Sequence, residues 1–170
     1  MPYKELLSYQ MTTIIYDLTD IFVRKYIDKR SRTSDQMVQA ARSSKQNIVE
    51  GCSERTSKKS ELKLLGVARA SLKELLEDYE DYLRQRGLRQ WEKSSPESLV
   101  VRNLSYRSYK TYQTYTSYMT TPNKAANCLI CLINQAGYLL DKQITKAEQD
   151  FLQHGGYTEN LFRQRLQNRK

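Results

Sequence analysis

Glycine and proline are scarce in this chain, six and three among 170 residues. That supply excludes a collagen-like or low-complexity chain. It also disfavours a β-sandwich or a Gly-rich α/β enzyme, whose turns use both residues, and it favours long helices. No apolar run approaches the roughly 18 residues needed to cross a membrane. The opening MPYKELLSYQ has no signal-peptide core, so the expected setting is the cytoplasm, with no membrane partner. Histidine is reduced to His154. A histidine base needs a nucleophile and an orienting carboxylate beside it, and the spacing offers none. The three cysteines, an odd number, argue against a disulfide framework. Cys128 and Cys131 form C-x-x-C, but redox dithiols sit at helix N-termini, where the dipole lowers the thiol pKa. This pair lies inside an apolar helical run, and a zinc site would have just Cys52 and His154 to complete it. Buried free thiols are the expectation. Gly-rich phosphate loops and H-E-x-x-H are missing as well. No catalysis, cofactor or metal is expected.

What the chain has in excess is positive charge: 28 Lys and Arg against 19 Asp and Glu, a net +9. Such a surface attracts polyanions. The excess is present in both halves, so it is no detached basic tail. Hydrophobic residues, at 39%, are enough for one core.

Residues 4–28 place Leu7, Met11, Ile14, Ile15, Leu18, Ile21, Phe22 and Tyr26 three and four apart, the stripe of an amphipathic helix. A polar connection follows, with Thr33 or Ser34 as a candidate N-cap and Asp35 in the first turn. A second helix runs to Glu50 with Met37, Val38, Ala41, Ile48 and Val49 inward, and Gly51 suits a left-handed stop. Ser57 can cap a third helix, whose Leu64, Leu65, Ala68, Leu72, Leu75, Leu76, Tyr79 and Leu83 point inward before Gly87 closes it. Residues 88–121 break the pattern, with Pro96 placed to start a helix. There Tyr106, Tyr109, Tyr112, Tyr115 and Tyr118 recur every third residue. On an α-helix such rings drift by about 60° a step, and on a strand they alternate faces. Either way some rings must meet solvent, a subunit seam or stacked bases. A strong helix starts at Pro122, apolar almost all round at LICLI, and a short helix at 145–153 and a basic tail follow. The whole, 1–170, reads as a single all-α domain: an antiparallel, up-down four-helix bundle. Residues 4–87 hold helices one to three. Residues 88–121 are a Tyr-rich insertion between helices three and four. Residues 122–170 hold the fourth helix and a short helical extension.

The segments QMVQAARSSKQNIVEG and SKKSELKLLGVARASLKELLEDYEDYL carry Gln36, Ala40, Ala41, Ser43, Asn47, Glu50, Gly51, Ser57, Glu61, Ala68, Ser71 and Glu74. In these positions the chain resembles the four-helix-bundle protein family. That family is also known from intervening sequences of bacterial large-subunit ribosomal RNA genes and includes the accessory variability protein of diversity-generating retroelements. The run AANCLICLINQAGYLLDKQI…GGYTENLFRQR resembles a suffix region found in a subset of that family. The resemblance implies an up-down four-helix bundle, often a homopentameric ring, and, by the retroelement member, binding to nucleic acid and a reverse transcriptase. Where the family often has basic residues after the Gln, this chain has Val38 and Gln39. Where the family often has a proline shortly before the Asn, this chain has Lys45. Much of the motif also has a packing reading: Asn47, Glu50 and Gly51 hold a helix end, Ser57 and Glu61 a helix start, and Ala68 and Ser71 a close helix approach.

Two basic clusters are the candidate phosphate contacts. Arg24, Lys25, Lys29, Arg30 and Arg32 close helix one, where cations suit the dipole. Arg55, Lys58, Lys59 and Lys63 open helix three, where they oppose it, so helix stability does not explain them. In an up-down bundle the two fall at opposite ends. The acidic run Glu74, Glu77, Asp78, Glu80 and Asp81 reads as a solvated face or as oligomer salt bridges, with no Glu-x-x-His motif for a di-metal site. The expected function is a non-catalytic oligomeric scaffold or adapter that binds RNA or DNA. The alternatives are a purely protein-binding module using the Tyr region, and an enzyme using His154.

Overall fold

In the computed structural model, residues 3–53, 57–107 and 109–168 are described, and every regular element among them is a helix. A 3-10 turn at Tyr3–Glu5 precedes α1 (Leu7–Tyr26), α2 (Arg32–Gly51), α3 (Lys58–Gln85) and α4 (Pro96–Leu104). A second 3-10 helix, Tyr112–Thr120, leads into α5 (Pro122–His154) and α6 (Tyr157–Gln167). Among the described residues no helix is long and apolar enough to cross a membrane.

Hydroxyl caps set most helix starts. Ser57 Oγ accepts from the Ser60 amide, Ser95 Oγ from Ser98, and Thr121 Oγ1 from Lys124, with Pro96 and Pro122 in the first turns that follow. At α2 the cap is Ser31, which accepts from the Thr33 amide, two residues before the expected Thr33. Gly87, at φ 61°, closes α3 as expected, and the Leu88 amide reaches back to the Leu83 carbonyl at 2.9 Å.

Gly51 departs from its expected role. It is the last residue of α2, not a left-handed stop, and it is buried. A Cβ there would lie 3.5 Å from the Glu61 carbonyl and 3.5 Å from Leu64 Cβ. Those are ordinary van der Waals distances, so Gly51 packs α2 against the start of α3 without the contact itself requiring glycine. The expected break near Thr145 is also missing. The Thr145 hydroxyl bonds back to the Asp141 carbonyl at 3.0 Å, so it caps nothing, and α5 continues for 33 residues. The break comes at Gly155, φ 69°, where a side chain would run into the Glu159 carboxylate. The expected basic tail is itself helical, as α6.

Packing is arranged around α5. It lies against α1 and α3, α2 lies against the same two helices, and α4 and the second 3-10 helix cover the outside of α5. Ala125 through Ile130, with Leu132, Ile133, Ala136 and Leu140, are buried, so the first half of α5 meets neighbours on nearly every side, while most of its residues from Asp141 onward are exposed. At one end the Ser8 hydroxyl donates to Gln143 Oε1 at 2.6 Å, and Gln143 Nε2 donates to Cys52 Sγ at 3.5 Å. At the other, Lys25 and the Tyr26 hydroxyl donate to the Met119 carbonyl at 3.1 and 2.8 Å. Phe22 joins α1 to α3 there, its ring 4.9 Å from Tyr79 and 5.0 Å from Tyr82, near edge-on.

The tyrosine run has a third solution besides the two expected. A 3-10 helix has three residues per turn, so side chains three apart eclipse. Tyr112, Tyr115 and Tyr118 therefore fall on one face, with Tyr115 fully buried and its neighbours half-buried. Tyr106 and Tyr109, which precede the 3-10 helix, are 82% and 86% exposed.

Two buried phenols differ in one respect. Tyr79 donates to Thr19 Oγ1 at 3.0 Å, whereas the Tyr115 hydroxyl has no partner among the described residues. Burial also pushes the Tyr115 phenol up to about 12. In denaturant unfolding, Tyr79→Phe is expected to cost about 1–2 kcal/mol, and Tyr115→Phe to leave stability unchanged or raise it by up to ~1 kcal/mol. Equal losses in both variants would contradict this assignment.

Candidate nucleic-acid interface

Arg55 lies outside the described residues. The other eight expected contacts separate into three that are occupied within the molecule and five that are not. Arg24 pairs with Asp20 at 2.8 Å, one helical turn away, and Lys58 with Glu61 at 3.0 Å across the first turn of α3. Lys25 holds the Met119 carbonyl, a contact across 94 positions of sequence. Lys29, Arg30, Arg32, Lys59 and Lys63 are exposed, and no side-chain hydrogen bond or ion pair engages them among the described residues. Lys59 and Lys63, four residues apart, share a face of α3.

The contacts place the two groups at separate ends. The start of α3 sits beside Gly51 and Cys52, and Cys52 meets Gln143, which meets Ser8 near the start of α1. The end of α1 sits beside Met119, Tyr79 and Tyr82. This second end also carries Arg89 and Lys124, which the sequence reading did not single out. The Asn123 side-chain amide donates to the Arg89 carbonyl at 3.0 Å, joining the end of α3 to the start of α5. Both side chains are exposed and without an ion pair among the described residues. The signal that would have found them is helix parity: if α1 ends where α3 ends and α5 starts, basic residues at those termini converge. Two other arginines there are occupied. Arg84 pairs with Asp81 at 2.7 Å, and Arg86 stacks over the Tyr82 ring with its guanidinium carbon 3.8 Å from the centroid. Asp28 and Asp35 lie near Lys29, Arg30 and Arg32 in sequence, which lowers the net charge of that end.

The positions of the family-like motif hold helices together. Asn47 Nδ2 donates to the Ser43 carbonyl and hydroxyl, at 2.9 and 3.1 Å, and the Ser71 hydroxyl donates to Ser43 Oγ at 2.9 Å. This relay ties α2 to α3 beside the buried Ala40, Ala41 and Ala68. Ser57 caps α3 and Glu61 pairs with Lys58. Gln36, Glu50 and Glu74 face outward.

Burial pushes the Cys128 thiol well up from its ordinary value, with Cys131 adding to the effect. Cys131 is raised too, by burial first, while its bond to the Ser98 hydroxyl and the nearby Arg102 pull the other way. Neither sits at a helix N-terminus, and such thiols are poor nucleophiles at neutral pH. His154 is exposed, with Nδ1 3.1 Å from the Asp150 carbonyl. In the acidic run, burial raises the Asp78 carboxyl above its ordinary range, with Asp81 and Glu74 adding to it. Among the described residues no three His, Cys, Asp or Glu side chains gather as metal ligands would.

No family model, curated protein or solved structure matches the chain.

Proposed function

We propose that this protein is a non-catalytic, oligomeric helical scaffold or adapter that holds RNA or DNA by its phosphates. Its frame in this reading is an antiparallel, up-down four-helix bundle of α1, α2, α3 and α5, of the type found in the four-helix-bundle family that the sequence resembles. The contacts of Ser8 with Gln143, Ser43 with Ser71 and Tyr26 with Met119 support that direction of the chain. One observation carries the nucleic-acid reading. In a chain of net charge +9, five of the eight described candidate cations stand exposed without a counter-ion among the described residues. A cation in the first turn of a helix is unfavourable to the helix itself; Lys59 stands in that turn, with Lys63 one turn on along the same face.

Self-association is the second element of the proposal. Leu152, Tyr157 and Phe162 are 82%, 73% and 62% exposed on the end of α5 and on α6. Large apolar side chains this exposed, close together in sequence, support an interface with a second copy of the chain. A protein-binding role without nucleic acid is the competing reading, favoured by the exposed Tyr106 and Tyr109 rings.

Filter binding of single-stranded RNA across a salt series tests the first reading. Affinity should fall steeply with salt, and Lys59→Glu with Lys63→Glu should flatten the log–log slope by roughly 0.7 per lost phosphate contact. Negligible retention even at low salt would refute phosphate recognition. Sedimentation of the free protein tests the second. A mass above one chain is expected, reduced by Phe162→Glu, and one chain's mass at every concentration would exclude self-association.

A further inference from the structure

A cavity of about 690 Å³ lies along the flank of α5, walled on the other side by α4 and the segments flanking it. Its floor is apolar, from Met11 on α1 and Ile130 and Leu139 on α5. Three aromatic rings line it, those of Trp91, Tyr106 and Tyr138. Three cations line it as well: Lys93, Arg102 and Lys110. Among the described residues none of these three makes an ion pair. Arg102 is fixed by backbone carbonyls instead, those of Lys93 and Ser98, so its charge is held in the wall without being neutralised. Among the described residues Glu80 is the one lining carboxylate, and it accepts from Gln90 Nε2 at 2.9 Å.

The walls are tied in place. Gln135 Nε2 donates to the Ser105 hydroxyl at 2.9 Å, holding the end of α4 to α5, and the Trp91 amide donates to Asn127 Oδ1 at 2.7 Å. Gln135 Oε1 is buried in the same wall with no partner among the described residues, an unmet demand that a ligand N–H turned into the wall would meet. The volume is that of a small-molecule site, where pockets run on the order of 300–1,000 Å³. An apolar floor alone would suit an acyl chain. Aromatic rings with side-chain amides and unneutralised cations together suit a flat heterocycle that carries a phosphate.

We propose that this cavity takes one unstacked nucleotide, its base against the Trp91, Tyr106 and Tyr138 rings and its phosphate on Lys93, Arg102 and Lys110. The same chemistry is offered by a free mononucleotide and by an unpaired residue of a single strand. The inference rests on the nucleic-acid reading above for the second source and stands apart from it for the first.

Trp91 is the sole tryptophan, so its fluorescence reports from the cavity wall in the full chain. Adenosine monophosphate and a short oligoadenylate are titrated separately, with adenosine and laurate as controls. Saturable quenching by the monophosphate is expected, with adenosine about tenfold weaker for want of the phosphate. Tyr138→Ala removes a ring that is already 59% exposed, and Lys110→Glu reverses a wall charge. Each should weaken quenching about tenfold without changing the helical circular dichroism. Quenching by oligoadenylate as well makes a single strand the source of the nucleotide. Quenching by the monophosphate with no polymer retained on filters supports the cavity and refutes the polymer reading. A silent Trp91 up to about 10 mM nucleotide, with salt-dependent RNA retention intact, overturns the cavity site and leaves the phosphate reading standing. Quenching by laurate and not by nucleotide overturns it too.

Discussion

Burial of the first half of α5 on nearly every side is the constraint on which the rest of the structure depends. An isolated helix gains little in water, and its stability in a protein comes from the apolar surface it hides. The run Ala125–Ile130 leaves no solvent face, so α5 must be surrounded. Helices α1 and α3 take two sides, and the insertion, with α4 and its 3-10 helix, covers the outside. The insertion is therefore part of the packing, and Tyr115 reaches the core through it.

Charge follows from the same constraint. With apolar side chains directed at α5 and at the α1–α3 contact around Phe22, cations are left on the surface and at the helix ends. Some are drawn back into the structure, as with Arg24, Lys25, Lys58 and Arg86, and the Arg69 pair with Asp141 links α3 to α5 at 2.8 Å. Exposed pairs of this kind contribute little stability, about 0–1 kcal/mol. Their larger consequence is to distinguish occupied cations from those left open to a partner.

Most helix boundaries were legible because their causes are local. Ser57, Pro96, Pro122 and Gly87 act within one turn of their own position, and each did what its chemistry implies. The misreadings share a different property: one residue type serves two causes. Gly51 looked like a left-handed stop, yet it is the last residue of α2, without a positive φ, packed against the start of α3. A new short helix was expected from Thr145, but its hydroxyl bonds to the Asp141 carbonyl of the same helix and α5 runs on. A three-residue period drifts on an α-helix, alternates on a strand and makes a single stripe on a 3-10 helix, so the spacing alone does not choose among them. At the candidate interface the cations themselves were legible. The pairs Arg24–Asp20 and Lys58–Glu61 were also readable from their spacing of four and three. Lys25 with Met119, and Arg89 with Lys124, depend on tertiary placement and carry no local signal.

The central claim is that the cations left unpaired by the fold are the ones that meet phosphate. Lysine acetylation, read residue by residue with and without bound single-stranded RNA, tests it most directly. Protection should fall on Lys29, Lys59, Lys63 and Lys124, while Lys25 and Lys58, already engaged within the molecule, change little. Protection spread evenly over all lysines, or confined to the engaged Lys25 and Lys58, would contradict it.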